Sequence, residues 1–424
     1  PKRYTVLETI VMLKKQVITG IDIGTTKICS AVARIGNGGI KILGTGWAAS
    51  KGLRKGVVIN LSETIQQVRD SIEEAEKTSQ SIVESAYVSV GGAHIEGINC
   101  SGEANIRGKN GEISNEDIGR AIHSAKSIDI PEDRTIIHGL KQDFEVDEQD
   151  GIVNPLGMNG RQLSVNMHLV LNASASVQNV VSAINKAGMM VDGVVMQQLA
   201  SAEAVLSSDE KELGTIVIDI GGGTTDIAFY NQGSIWHSSV LPAGGNLITK
   251  DIAIGLKAPL DEAEQLKREL GSVFPESVSA EELIEISEVG TGLRHTILRR
   301  TLCHIIQARC DEILKAVAKI INGIGIRTDL ISGIVLTGGG SLMDGISARA
   351  EEILQIPVRI GYPVNVVDHN HPTFDPALST ALGLLKYVQD TQNQPVPVVP
   401  DIASGVHPIG PTEKVRNWLM EKIS

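Results

Sequence analysis

The stretch Ile216-Val-Ile-Asp219-Ile-Gly-Gly-Gly-Thr-Thr-Asp226 decides the fold. Its β-branched run reads as a buried strand, and the three glycines then permit a tight turn that no Cβ obstructs. The pattern has an earlier counterpart. Val17-Ile18-Thr19-Gly20-Ile21-Asp22-Ile23-Gly24 runs into Thr25, Thr26 and Lys27, and Ile28 to Ile35 can return as a second strand. Two copies of strand, glycine turn and strand imply a duplicated architecture with two similar halves. A third turn, Thr337-Gly338-Gly339-Gly340-Ser341, follows a buried strand at Ile334 to Leu336.

These turns suit a triphosphate, which needs converging backbone N–H donors and a divalent cation to offset its charge. Gly24, Gly221, Gly222 and Gly223 permit close backbone approach, and Thr25, Thr26, Thr224 and Thr225 add hydroxyl donors. Lys27 supplies a point positive charge. Asp22 and Asp219 end their strands and are expected to hold Mg²⁺ through its waters, because that ion dehydrates reluctantly. Gly338, Gly339 and Gly340 are expected to pass close to the nucleoside. Any one turn alone fits a plain glycine hairpin capped by threonines; the set of three points to a nucleoside triphosphate, which the resemblance given below makes ATP. No G-x-x-x-x-G-K-[ST] run occurs, so the chain is not a P-loop NTPase.

With 424 residues the chain is too long for one ordinary core. A formal charge of −12 gives a nucleic-acid partner no global support. Cys29, Cys100, Cys303 and Cys310 sit at no metal-ligand spacing and read as reduced thiols of a cytosolic protein. No apolar run is long enough to span a bilayer, and no signal peptide is evident; Met12 is a candidate natural start. Helical spacing covers roughly Ser62 to Thr78, then Val177 to Ile184, Leu199 to Leu206, and a long striped helix from Leu298 to Ile321. Ala86 to Val90 reads as a strand. From Gly91 to about Leu163 the texture turns rich in Gly, Asn, Asp and Glu, as expected for an inserted small domain.

The two phosphate hairpins and the later glycine turn, in this order, resemble the actin, Hsp70 and sugar-kinase superfamily. Asp219-Ile-Gly-Gly-Gly-Thr-Thr-Asp226, Gly245-Asn246-x-x-Thr249-x-Asp251, Ala263-Glu264-x-x-Lys267, Gly333-Ile-Val-Leu-Thr-Gly-Gly339 and Ser379-Thr-Ala-x-Gly383 look like the FtsA family of bacterial cell-division proteins. The resemblance implies an α/β, actin-like (ribonuclease H-like) two-lobed ATPase fold with an inserted subdomain called 1C. The parts expected are an extension at 1–15, subdomain 1A at 16–85, 164–208 and 373–390, and 1C at 86–163. Subdomain 2A would take 209–257 and 326–372, 2B 258–325, a linker 391–411, and a membrane-targeting helix 412–424.

The resemblance also implies site residues. Asp22 and Asp219 match magnesium-associated aspartates, while Gly245, Asn246, Glu264 and Lys267 fall in the nucleotide motifs, the last two near ribose and adenine. Gln197 and Glu203 remain alternatives for a residue orienting water, and turnover is expected to be slow or absent. Gly91-Gly92-Ala93-His94 resembles part of the insert, where His94 also reads as a plain loop histidine. Arg309 and Glu312 match a site for the acidic tail of the tubulin-like protein FtsZ, and Arg299 and Arg300 are placed to steer that tail. Self-association and later division proteins complete the implied partners.

The C-terminus reads on physics alone. Prolines 395, 397, 400, 408 and 411 mark a linker. Beyond it Val415, Trp418, Leu419 and Ile423 share a helical face flanked by Lys414, Arg416 and Lys422. That pattern suits an anionic membrane surface, so the chain is expected on the cytoplasmic face of the cell membrane as a peripheral protein. A pilus-assembly actin homologue and a small-molecule kinase are the rival readings; the insert and the tail weigh against the first, and the tail and the lack of a distinctive sugar-binding cluster against the second.

Overall fold

A computed structural model describes residues 17–36, 39–325, 331–367 and 374–391. The N-terminal extension, the proline linker after Thr391 and the amphipathic tail residues lie outside the described residues.

The first lobe begins with an antiparallel meander of β1 (Val17–Ile23), β2 (Lys27–Gly36) and β3 (Gly39–Ala49). A short clip, β4 (Leu53–Arg54) and β5 (Val57–Val58), leads into α1 (Leu61–Ser79). Asn60 caps that helix by accepting from the Glu63 N–H, and Gln80 ends it in the left-handed region. Next, β6 (Ser85–Val90) lies parallel to β1.

The insert follows. It comprises β7 (Glu96–Asn105), α2 (Asn115–Lys126), β8 (Arg134–Val146), β9 (Gln149–Ile152) and β10 (Gln162–Ala173), with its sheet in the order β7–β10–β8–β9. It has its own core around Ile113, Phe144, Leu163, Val165 and Leu169. The polar texture read from the sequence thus conceals four strands with one face toward that core, while the other faces of β8 and β10 are buried in part against the two lobes. Strand β10 runs across the boundary expected at 163 and is paired with β7 or β8 along its length.

The chain re-enters the first lobe through α3 (Ser174–Ala187), β11 (Met190–Met196) and α4 (Gln197–Val205). After α5 (Ser208–Leu213) the second lobe repeats the opening plan. Its meander is β12 (Thr215–Ile220), β13 (Thr225–Asn231) and β14 (Ser234–Leu241). There follow α6 (Gly245–Leu256), α7 (Leu260–Leu270), the hairpin β15 (Leu283–Ser287) and β16 (Arg294–Leu298), and α8 (Arg299–Gly323). Strand β17 (Gly333–Thr337) pairs parallel to β12, as β6 does to β1. Then come α9 (Ile346–Leu354), β18 (Val358–Ile360), β19 (Val366–Val367) and α10 (Ser379–Thr391), which returns to the first lobe.

One apolar core around Ile21, Val68, Val88 and Val195 reaches from the first lobe onto Val217, Ala228 and Val335 of the second, while another around Ile218, Ile252, Leu302 and Leu336 lies within the second lobe. Helices α4 and α10 cross between the lobes. A Cβ on Gly383 would sit 1.7 Å from the Ala200 carbonyl oxygen, so only glycine permits this crossing. The crossing fixes the two lobes with their glycine turns face to face.

Candidate functional site

Both hairpins close in the same way. The Gly24 N–H donates to the Lys27 carbonyl at 3.0 Å, and the Gly221 N–H to the Thr224 carbonyl at 2.9 Å. The turns nearly touch: a Cβ on Gly222 would lie 1.7 Å from Thr26 Oγ1, and one on Gly223 2.6 Å from Thr25 Oγ1. Helix α6 begins on the second turn, its Gly245 and Asn246 N–H groups donating to the Gly221 and Gly222 carbonyls at 2.9 and 2.8 Å. Gly338, at φ +79°, backs onto Asp219; a Cβ there would stand 2.1 Å from Asp219 Oδ1.

These elements enclose a cleft of ≈ 940 Å³. Asp22, Gly24 to Lys27, Asp219, Gly221 to Thr224, Gly245, Asn246, Glu264, Lys267 and Gly338 to Gly340 all line it. Thr225 differs from expectation: it is buried beneath the turn, where its hydroxyl donates to the Ala243 carbonyl at 2.9 Å. Glu264 and Lys267 are 2.6 Å apart, and Lys267 Nζ also donates to Thr249 Oγ1 at 2.9 Å. The lysine is thereby fixed at the mouth of α6.

Three carboxylates lie under the turns. Burial pushes Asp22 up to about 6, partly offset by Lys27 and by a hydrogen bond from Ser89. Burial also raises Asp219, against hydrogen bonds from Ser201 and Thr380 and the charge of Lys27. Asp226 is pushed up to about 8, first by burial and then by the neighbouring Asp219. Its Oδ2 accepts from Thr224 at 2.9 Å, while its Oδ1 has no partner among the described residues. The sequence reading quoted Asp226 as the end of a motif and gave it no role. Negative charge gathered out of water, with one orphaned oxygen, favours a cation. No group of three or more His, Cys, Asp or Glu close enough to hold a bare metal occurs among the described residues. The acids therefore fit Mg²⁺ held through its waters and a ligand's oxygens.

The two alternatives for orienting water separate clearly. The Gln197 side chain lies in the cleft, 3.4 Å from Asp22 Oδ1 and from the Ile23 carbonyl. Gly91 makes room for it, since a Cβ there would fall 1.9 Å from Gln197 Oε1. Glu203 is instead paired with Lys211 and is absent from the cleft lining.

On α8, Arg309 is bound to Asp251 Oδ1 at 3.1 Å and to Glu312 at 2.7 Å. Arg299 binds Glu282 at 3.0 Å and the Leu270 carbonyl at 2.8 Å, and Arg300 donates to the Val278 carbonyl at 2.8 Å. The two pairs stand apart along α8, so the structure does not gather the four into one cluster. No helix among the described residues is long and apolar enough to cross a membrane.

A family model for cell division protein FtsA matches residues 216–383, and one for the SHS2 domain inserted in FtsA matches residues 92–171. The chain is 41% identical over 374 residues to the cell division protein FtsA of Neisseria meningitidis, covering 88% of this chain and 90% of that protein. This chain belongs to the FtsA family. The FtsA of Pseudomonas aeruginosa is 38% identical over 88% of this chain and 89% of its own, and that of Escherichia coli 34% over 89% and 91%. Among solved structures, a PilM–PilN type IV pilus biogenesis complex aligns with TM-score 0.62 at 16% identity, over 87% of this chain and 97% of that one. MreB5 of Spiroplasma citri bound to ADP aligns with TM-score 0.55 at 14% identity, over 92% and 100%. At such identities these likenesses carry the fold alone: the FtsA-family chain is actin-like. The residues matched by the SHS2 domain model fall in the insert that holds β7 to β10.

Proposed function

We propose that this FtsA-family protein binds ATP with Mg²⁺ between its lobes and, as a polymer on the cytoplasmic membrane, anchors FtsZ there and recruits later division proteins. The observation that carries the nucleotide reading is the pair of like hairpins, closed by the same hydrogen bond and facing each other above three buried acids. Backbone N–H groups of the two turns, the Thr25 and Thr26 hydroxyls and Lys27 bind the phosphates. Asp22 and Asp219 hold the hydrated cation, which neutralises phosphate charge when bound. Lys267, Glu264 and the Gly338–Gly340 turn take the nucleoside. Gln197 orients water for slow hydrolysis, if turnover occurs.

The α8 surface around Arg309 and Glu312 takes the FtsZ tail, with Arg299 and Arg300 steering it by charge. The insert offers the contact for the next subunit, and a repeated heterologous contact builds an open filament. Each tail binds lipid weakly, and a filament presenting many tails binds far more tightly. The test is sedimentation with anionic vesicles and an FtsZ tail peptide, with and without Mg-ATP. Nucleotide-dependent recovery of both protein and peptide in the pellet supports the reading. Recovery of neither, from folded protein, contradicts it.

A further inference from the structure

Trp47 belongs to no quoted motif, yet it lines the cleft. Its ring is the platform on which Lys27 stands: Lys27 Nζ lies 4.4 Å from the ring centroid. The pairing is built into the sheet. In the β2–β3 ladder Lys27 faces Ala49 and Cys29 faces Trp47, so Lys27 and Trp47 are diagonal cross-strand neighbours. The platform cannot easily retreat. A Cβ on Gly46 would fall 2.0 Å from the Ser71 carbonyl oxygen, so β3 is pressed against α1 at this point. The Trp47 N–H also donates to Glu74 Oε2 on the same helix.

Above the ring, Lys27 Nζ donates to the Ala377 carbonyl, close to where Gly339 approaches Ala377. A lysine ammonium is a compact charge on a flexible stem and by itself wanders through many rotamers. Here one side rests on an indole face and the other on a carbonyl, at the turn that faces Gly221 to Gly223 across the cleft. Trp47 is 40% exposed, so its ring stays open to the cleft that it lines.

We propose that Trp47 is a positioning residue for phosphate binding: its ring holds the Lys27 ammonium over the cleft so that the charge is pre-aimed at a nucleotide's phosphates. This rests on the nucleotide reading above. The carbonyl of Ala377 is released when phosphate arrives, and the ring stays in place because the strand beneath it is fixed. Removal of the ring face leaves Lys27 present but unaimed.

The experiment is a double-mutant cycle on the full chain, read by titration of a fluorescent ATP analogue with Mg²⁺. Trp47→Leu keeps an apolar side chain and loses the π face; Trp47→Phe keeps a ring. A cation–π contact at a partly exposed site corresponds to a loss of about three- to tenfold in affinity for Trp47→Leu. Trp47→Phe should recover most of it. In a Lys27→Ala background Trp47→Leu should cost nothing further, and competition by adenosine, which carries no phosphate, should be unchanged throughout. Equal losses with and without Lys27, an equal loss for Phe and Leu, or no loss at all would overturn the proposal. If the parent fails to bind the analogue, the nucleotide reading itself falls, and this inference falls with it.

Discussion

Two buried histidines hold the insert in place, and acid should loosen it. His138 on β8 accepts the Met196 N–H at 3.0 Å, tying the insert to the first lobe next to Gln197. His168 on β10 contacts Asn99 Oδ1 at 2.6 Å and Ser238 Oγ on β14 at 2.8 Å, tying it to the second lobe. Burial lowers both to about 4 from 6.5, and for His168 the nearby His237 adds to the effect. The sign follows. Below about pH 6.5 the unfolded chain takes up a proton at each position and the folded one refuses it until about pH 4, so stability falls as pH falls through that window. Between pH 7 and pH 5 the difference comes to about 2 kcal/mol per histidine, about 4 kcal/mol for the pair. His168→Gln keeps a polar side chain without the titration. Urea unfolding at both pH values, followed by circular dichroism and by proteolysis within the insert, reads the effect. The parent should lose about 2 kcal/mol more than His168→Gln on acidification. Since carboxylates titrate alike in both proteins, an equal loss in both would refute the reasoning.

Three further outcomes are expected. Gln197→Ala should lower any ATP turnover, and Glu203→Gln should leave turnover unchanged while lowering stability by about 3 kcal/mol or less, because it leaves Lys211 without its partner; steady-state phosphate release and thermal melts check both. Arg309→Glu should weaken binding of an FtsZ tail peptide, measured by fluorescence anisotropy; since it also places a third acid beside Asp251 and Glu312, Arg309→Gln should show a smaller loss in the same direction. Trp418→Glu should abolish pelleting with anionic vesicles while ATP binding survives, and pelleting like the parent's would show that the tail is not the anchor.

The glycine turns were legible because their signal is local: a strand, an aspartate and consecutive glycines leave the backbone few other courses. The striped α8 was legible for the same reason, through its apolar period. Helix α4 was not. Every residue from Gln197 to Val205 is buried, so the helix has no wet face to set its register, and Gln197 could not be told from Glu203. The insert's strands were hidden by their polar residues, some facing water and others, such as His138 and His168, buried against the lobes. Lys27 meets Ala377 across 350 residues, and its seat on Trp47 depends on the β2–β3 register, which no motif records. Asp226 was in plain view, but what raises it is burial beneath the turn, then Asp219 across the β12–β13 pair, and least Asp22 from the other half, none of which a motif records.

The central claim is that both halves grip one nucleotide. Titration of a fluorescent ATP analogue with Mg²⁺ into the parent, Asp22→Asn, Asp219→Ala and Gly222→Val tests it most directly. Gly222→Val pushes a branched side chain into the space of Thr26, where even a Cβ would come within 1.7 Å of the hydroxyl, and so forces the turns apart. Binding to the parent and a marked loss in each folded variant, from either lobe, is the predicted result. Parent-like affinity in all three folded variants would contradict the claim and move the ligand out of this cleft.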